Sequence, residues 1–422
     1  MKILFISAYF AHKQAIGAKR SQELVKYLIE QGHEVVVVSA EIKNAAAFVP
    51  EIEVKNHIVS WKDSNVNNIV QKKFSFAGNF FTKCLHWFIE RPKLSALSKK
   101  YYRSFIYWPD RYQFWITKAT NRALNISGSF KPDLIYSSAL PFSSHIVASR
   151  TAKRLNIPWV AEFRDQFSSN FFNETVFFRN VIDRFWEKSI LKGAQLLVAV
   201  NEDMKIYLEE LHHKKCICIT NGFKIKDARQ TSTKKKNKVF TIVYTGAFYD
   251  LKRDPRTFFA ALEMLKQENF KFKFNIFTSD WRQISYIKSK FDLEKEVTVS
   301  PEVPSDHAQR YQSNSDLLLL IMWLSKKQGS ILPGKFFEYL STGVPILAIE
   351  RKERQLSQHI SNYKLGYAAS TKLEIYEILK VLIREHQKEQ KSIAQPLENE
   401  LEFLSQRYQF GRLKQHLSNL IH

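Results

Sequence analysis

Apolar residues fall along the chain in short unbroken blocks, separated by stretches of helical period. Such blocks suit strands of a parallel sheet buried on both faces. The first block covers 3–7. A helix with Leu24, Val25, Leu28 and Ile29 on one face follows over 18–31 and stops at Gly32. A second block at 35–39 completes a βαβ opening. Further strands are expected at 132–137, 158–163, 195–200 and 216–220, with a helix running from Pro141 to Leu155. A second series begins at 239–244, with Gly246 directly after the strand. It continues through a helix at 255–267, a strand at 272–278, helical stretches at 284–291 and 307–314, and strands at 297–300 and 317–322. The stretch 329–349, GSILPGKFFEYLSTGVPILAI, predicts a polar loop closing at Pro333-Gly334, a helix over 335–342 halted by Gly343 and Pro345, and a buried strand over 345–349. A charged helical region runs to Glu400. Phe410, Leu413, Leu417, Leu420 and Ile421 give the chain an amphipathic final helix.

At 422 residues the chain exceeds one ordinary core. Asn221-Gly222 is a turn signal, and the polar, lysine-rich stretch 224–238 reads as a linker. The organisation expected is an α/β pair of Rossmann-like domains with a cleft between them as the default ligand site. Their bounds are 1–220 and 221–403, with a helix over 404–422. The dinucleotide fingerprint GxGxxG is absent, and the first loop carries only Gly17.

Charge adds a second theme. Lys and Arg total 64 against 41 Asp and Glu, a formal net charge of +23. Such a surface favours anionic partners. Residues 74–118 interleave Phe80, Phe81, Trp87, Phe88, Tyr101, Tyr102, Phe105, Tyr107, Trp108 and Trp115 with Lys83, Arg91, Lys93, Lys99, Lys100, Arg103 and Arg111. This basic, aromatic insert suits either an anionic membrane surface or inward packing. No exposed stacking motif for nucleic acid is present, so nucleic acid is not an expected partner. Cys84, Cys216 and Cys218 make no disulfide framework and no zinc set, which points to a reducing compartment. The start, MKILFIS, runs straight into a strand pattern without the features of a signal peptide. The longest apolar run, 317–324, falls well short of the about 20 residues a spanning helix needs. A cytoplasmic protein, peripheral on the inner face of the membrane, is expected. Nothing in the sequence sets an oligomeric state.

Several residues carry candidate chemistry. Lys335 sits in the first turn of a short helix, and Glu338 lies one turn on, so a phosphate cradle stands beside a carboxylate able to hold a sugar hydroxyl. The same segment could serve structure alone. Lys252 and Arg253 follow the strand at 239–244 closely enough to meet a diphosphate. Arg164-Asp165 ends the strand at 158–163, where an Arg–Asp pair could position an acceptor hydroxyl and take its proton, or form an ion pair. Arg20, on the first helix, could meet an anion at the carboxyl edge of the sheet or stay solvated. His145, inside an apolar helical pattern, reads first as a structural histidine and second as an acceptor-side group.

Together these strings resemble the family-4 nucleotide-sugar glycosyltransferases of GT-B fold, the bacterial surface-polysaccharide branch in particular. The likeness runs through GHEVVVVS at 32–39, Pro109-Asp110-Arg111 with Trp115, PDLIYSSALPFSSH at 132–145 and PWVAEFRDQF at 158–167. It continues through ITNGF at 219–223, YTGAFYDLKRDP at 244–255 and PGKFFEYLSTGVPIL at 333–347. The resemblance implies two Rossmann-like domains facing a central cleft, with the C-terminal helix crossing back to the N-terminal domain. It implies a retaining, metal-independent transfer of a sugar from a nucleotide diphosphate, UDP first, to a saccharide or lipid-linked acceptor. No cofactor beyond that donor is implied. Gly246 matches the glycine after the first donor-domain strand, and Arg253 or Lys252 the basic residue on the diphosphate. Glu338 matches the second glutamate of Glu-x7-Glu, which holds the ribose, and Gly334 and Lys335 belong to the same cradle. Asn221-Gly222 matches the interdomain hinge. Departures are equally plain. Ser330 stands where the first glutamate belongs, Ala247 where an arginine often follows the glycine, and Ser137-Ser138 where many relatives carry a histidine. Arg164-Asp165 replaces a His-Asp pair, which makes Asp165 the acceptor-side candidate. No Asp-x-Asp occurs.

Overall fold

The computed structural model describes residues 1–12, 16–41, 54–60, 108–168, 177–224, 237–323, 332–351, 353–388 and 398–421. Ser330 and all but the end of the 74–118 insert lie outside these residues, as does Cys84. The chain divides into two compact units, Met1–Ile219 with Phe410–His422, and Thr220–Gln409.

The N-terminal unit runs β1 (Lys2–Ile6), α1 (Ile16–Glu30), β2 (Glu34–Ala40), β3 (Lys55–Val59), α2 (Trp115–Phe130), β4 (Leu134–Ala139) and α3 (Ser143–Leu155). It continues with β5 (Trp159–Phe163), α4 (Phe177–Leu191), β6 (Leu196–Ala199), α5 (Glu202–His212) and β7 (Cys216–Cys218). Its seven strands are parallel in the order β3-β2-β1-β4-β5-β6-β7. Side chains alternate across each strand, so every strand feeds two cores. One face carries Leu4, Ile6, Val36, Val38, Trp159 and Ala161 against α2, α3 and residues of α4 and α5. The other carries Ile3, Phe5, Val35, Val37, Leu134 and Val160 against Leu24, Val25 and Leu28 of α1.

The second unit runs β8 (Phe240–Thr245), α6 (Arg256–Gln267), β9 (Phe272–Phe277), α7 (Trp281–Lys288), β10 (Val297–Ser300), α8 (Ser305–Ser313) and β11 (Leu317–Ile321). Then come α9 (Gly334–Leu340), β12 (Ile346–Ile349), α10 (Gln355–Asn362), β13 (Gly366–Ala369), α11 (Lys372–Gln387), a 3-10 turn (Glu398–Leu404) and α12 (Gln406–Ser418). Its six strands are parallel in the order β10-β9-β8-β11-β12-β13. α6 and α11 cover one face, and α9, α10 and the 3-10 turn cover the other. α12 begins in this unit and ends in the first, where Phe410, Leu413 and Leu417 join the α1 face of the N-terminal sheet.

The expected α/β architecture of two Rossmann-like units with a returning C-terminal helix is the one observed. Short edge strands β3 and β13 have no strong apolar block and were not foreseeable from pattern. The insert departs from the membrane-facing reading at its end. Trp115 is fully buried in the first core, and Trp108 packs on Trp186 with ring centroids 4.3 Å apart. For these two aromatics the inward-packing alternative holds.

At Asn221-Gly222 the chain passes from one unit to the other. Phe223 N–H donates to Leu404 O at 3.1 Å, and Gln406 N–H donates to Phe223 O at 2.9 Å. A side chain on Gly222 would run into the Gln406 backbone, so the close pairing of these two segments requires glycine.

Candidate functional site

In an open parallel sheet, loops at the carboxyl ends of two strands diverge where the strand order reverses, and a crevice forms there. In the C-terminal unit that point lies between β8 and β11. Gly246 follows β8 with φ +124°, a conformation L side chains rarely adopt, and donates its N–H to Phe277 O at 2.8 Å. The aliphatic end and amine of Lys335 occupy the space a Gly246 side chain would fill. The Lys335 amine also lies 5.3 Å from the centre of the Tyr244 ring. Burial pushes its pKa down to about 8; Glu338 opposes this shift and Arg253 adds to it. Thus Gly246, Arg253, Lys335 and Glu338, separated by up to 92 positions, meet in one corner.

Glu338 is held from behind. The buried Gln312 amide donates to Glu338 Oε1 at 2.7 Å and to Thr245 Oγ1 at 2.9 Å. This fixes one carboxylate oxygen. α9 begins at Gly334, just past Pro333, and its Phe336, Phe337 and Tyr339 anchor it in the core. The loop that carries the basic pair is constrained as well. Tyr249, Asp250 and Leu251 are all left-handed, with φ of 53°, 52° and 63°. Asp280 Oδ2 accepts the Phe248 N–H at 2.6 Å and the Tyr249 N–H at 3.3 Å, tying that turn to the start of α7. Arg253 then stacks 4.8 Å from the Tyr249 ring centre, and Lys252 sits 4.6 Å from the Trp323 ring at the end of β11. Gln312, Thr245 and Asp280 were missed from sequence, because an amide, a hydroxyl or a lone Asp in a helical or strand pattern carries no signal.

The N-terminal unit has its own polar corner. Arg20 does not remain solvated. Its Nε donates to Glu162 Oε1 at 2.8 Å, its guanidinium reaches Ile219 O at 2.8 Å, and both side chains of the ion pair are buried. Ser138 donates to the other Glu162 oxygen at 2.7 Å. Burial opposes the Glu162 charge, yet Arg20, Ser138 and Arg164 outweigh it and hold the carboxyl below its usual range. The only advance sign of this group is a charged residue inside the apolar run WVAEF. Arg164 donates to Gly17 O, so the first turn of α1, where the sequence predicted a loop, is joined to the end of β5. Asp165 is exposed beside it; surrounding protein raises its pKa and Arg164 lowers it. Asp110, of the Pro109-Asp110-Arg111 string, caps α3 by accepting from Ser143 N–H at 2.8 Å and Ser143 Oγ at 2.7 Å. His145 takes no part in this corner. It is fully buried, with Nδ1 2.8 Å from Ser137 Oγ, and burial pushes its pKa to about 3.

Residues 18–227 match the family model of Glycosyltransferase Family 4. The N-terminal half of the chain is thus similar to glycosyltransferase family 4. The chain is also similar in fold to a glycosyltransferase from Rickettsia africae, at 13% identity and TM-score 0.59, over 100% of this chain and 98% of that one. Anabaena HepE, solved in complex with UDP, is similar at 13% identity and TM-score 0.59 over 99% of each chain. A structure described as a UDP-N-acetylglucosamine 2-epimerase from Listeria monocytogenes is similar at 11% identity and TM-score 0.53, over 99% of this chain and 97% of that one. No curated protein matches the chain in sequence.

Proposed function

We propose that this protein is a glycosyltransferase that moves a sugar from a nucleoside diphosphate, UDP in the first instance, to a saccharide or lipid-linked acceptor of a cell-surface polysaccharide. The observation that carries the proposal is the corner built from Gly246, Arg253, Lys335 and Glu338. In it, Glu338 holds the ribose through the oxygen Gln312 leaves free. Lys335 and Arg253, with Lys252 at the rim, meet the diphosphate. As the sugar C1–O bond breaks, negative charge grows on the leaving diphosphate, and these fixed cations stabilise it without a metal ion. Neither a metal nor a cofactor beyond the donor enters the scheme. On the N-terminal unit, Arg164 and Asp165 are the groups proposed to position the acceptor hydroxyl and take its proton, with Gly17 in the first turn of α1 beside them. Arg20 acts there only through Glu162. Retention at the anomeric carbon is part of the proposal, as is a cytoplasmic location on the inner membrane face.

A thermal-shift series across UDP-, GDP- and dTDP-sugars tests the reading. A bound UDP-sugar at 100 times its Kd stabilises the fold by about 2.7 kcal/mol. Glu338→Ala should abolish that shift and leave the melting temperature of the free protein close to wild type. If no nucleotide sugar stabilises the wild type, the reading fails. The epimerase-like fold of the Listeria protein motivates one alternative. An epimerised nucleotide sugar without release of free UDP would establish it in place of transfer.

A further inference from the structure

Helix α4 mixes polarity on both of its faces. Its two acids face inward. Asp183 is buried and accepts the Trp108 indole N–H at 2.7 Å. Glu187 is fully buried, accepts the Ser168 backbone N–H at 3.1 Å and lies 3.3 Å from His212 Nε2. Three of its apolar side chains face water, while Trp186, Ile190 and Leu191 pack inward. Val181, Ile182 and Phe185 are 56%, 51% and 77% exposed. Spaced three and four apart, they form one stripe along the helix. Lys188 and Lys192, both exposed, continue that stripe one and two turns past Phe185. The position is also distinctive. Glu187 accepts from Ser168, five residues past the end of β5, so α4 packs beside the segment that leaves the carboxyl edge of the sheet. Arg164 and Asp165 stand at that same edge.

We infer that this stripe docks on an anionic lipid surface, with Ile182 and Phe185 entering the acyl boundary and Lys188 and Lys192 meeting headgroups. Charge selects lipid over a second copy of the chain. Docked on itself, the face would gain no ion pair, because α4 has no outward acid to meet Lys188 and Lys192. No helix among the described residues is long and apolar enough to cross a membrane, so the contact is one-sided. The inference deepens the peripheral placement proposed above and rests on it. It gives that placement a named surface outside the 74–118 insert.

The test is sedimentation of the full chain with vesicles of phosphatidylcholine, alone or with about one third phosphatidylglycerol. The wild type should pellet with the anionic vesicles. The pairs Ile182→Asp/Phe185→Asp and Lys188→Glu/Lys192→Glu should each lower the partition coefficient at least about tenfold. Melting temperature and the UDP thermal shift are read on every variant. They should stay at wild-type values because these side chains lie in water, so lost partitioning is not lost folding. A wild type that stays in the supernatant overturns the inference. So do variants that partition like the wild type, and so does a dimer that Phe185→Asp dissociates. Because the UDP shift is measured separately, failure at the membrane leaves the donor reading standing, and the reverse holds.

Discussion

Burial beside Gly246 pulls the Lys335 amine from 10.5 to about 8, and a bound diphosphate reverses that pull. Two consequences have opposite signs. In the free protein the folded pKa lies below the unfolded one, so folding releases a proton between about pH 8 and 10.5 and stability rises with pH across that window. In the proposed function the donor diphosphate meets the protonated amine, so affinity should be greatest below pH 8 and fall as the pH rises through it. Loss of one charge-assisted contact corresponds to about a tenfold weaker UDP affinity at pH 9.5 than at pH 7. Calorimetric titration over that range checks this. Lys335→Met should flatten the profile at the weak level, whereas a flat wild-type profile would exclude Lys335 from the diphosphate. The residues of this corner differ in how far sequence revealed them. Lys335, Gly334 and Glu338 were visible because a Pro-Gly helix start fixes a first turn and its one-turn partner. Gly246 was visible because it ends a strand. Gln312, which orients Glu338, is one glutamine in a polar helix, and only tertiary packing sets it beside Thr245.

Strands β1, β2, β4, β8, β11 and β12 were legible because both of their faces are apolar, as the burial of every residue in β4 and β11 illustrates. What the strand blocks could not show is which neighbouring helix residue a strand would capture. Glu162 of β5 draws Arg20 of α1 out of solvent, 142 positions away, because α1 lies across the β1–β4 face and brings the guanidinium over the strand end. That buried pair makes β5 and α1 depend on each other. Removing one partner of a buried pair leaves an uncompensated charge and costs about 3–5 kcal/mol. Glu162→Gln should therefore lower the stability of the N-terminal unit by about that amount in urea titrations at pH 7, and a loss under about 1 kcal/mol would show that the pair contributes little. The acid dependence follows from the depressed pKa. The contribution is complete above the unfolded value of 4.5 and is lost as the pH falls through the lower folded one. The difference between variant and wild type should thus shrink as the pH is lowered below 4.5.

At the scale of the molecule, the chain leaves the N-terminal unit after Ile219 and returns to it at Phe410, so that unit is finished only when the last thirteen residues arrive. The helical period of Phe410, Leu413 and Leu417 made the final helix legible, and the family resemblance supplied its destination. Packing gives the reason. Without these residues one face of the first sheet, lined by Phe5, Val35, Val37, Tyr136 and Val198, is covered by α1 alone. Phe410 lies 5.7 Å from Tyr27 and 5.6 Å from the Arg20 guanidinium, which ties the returning helix to the same buried ion pair. Leu413 is fully buried, so Leu413→Ala should cost about 2–5 kcal/mol by lost burial and the cavity left behind. That cost falls on one unit only. In a calorimetric scan with saturating UDP-sugar, the transition of the N-terminal unit should move down, while the donor-stabilised transition of residues 220–409 stays in place. If both transitions fall together by the same amount, the final helix belongs to a single cooperative core rather than to the first unit, because a local cavity can lower a distant transition only when the two units unfold as one.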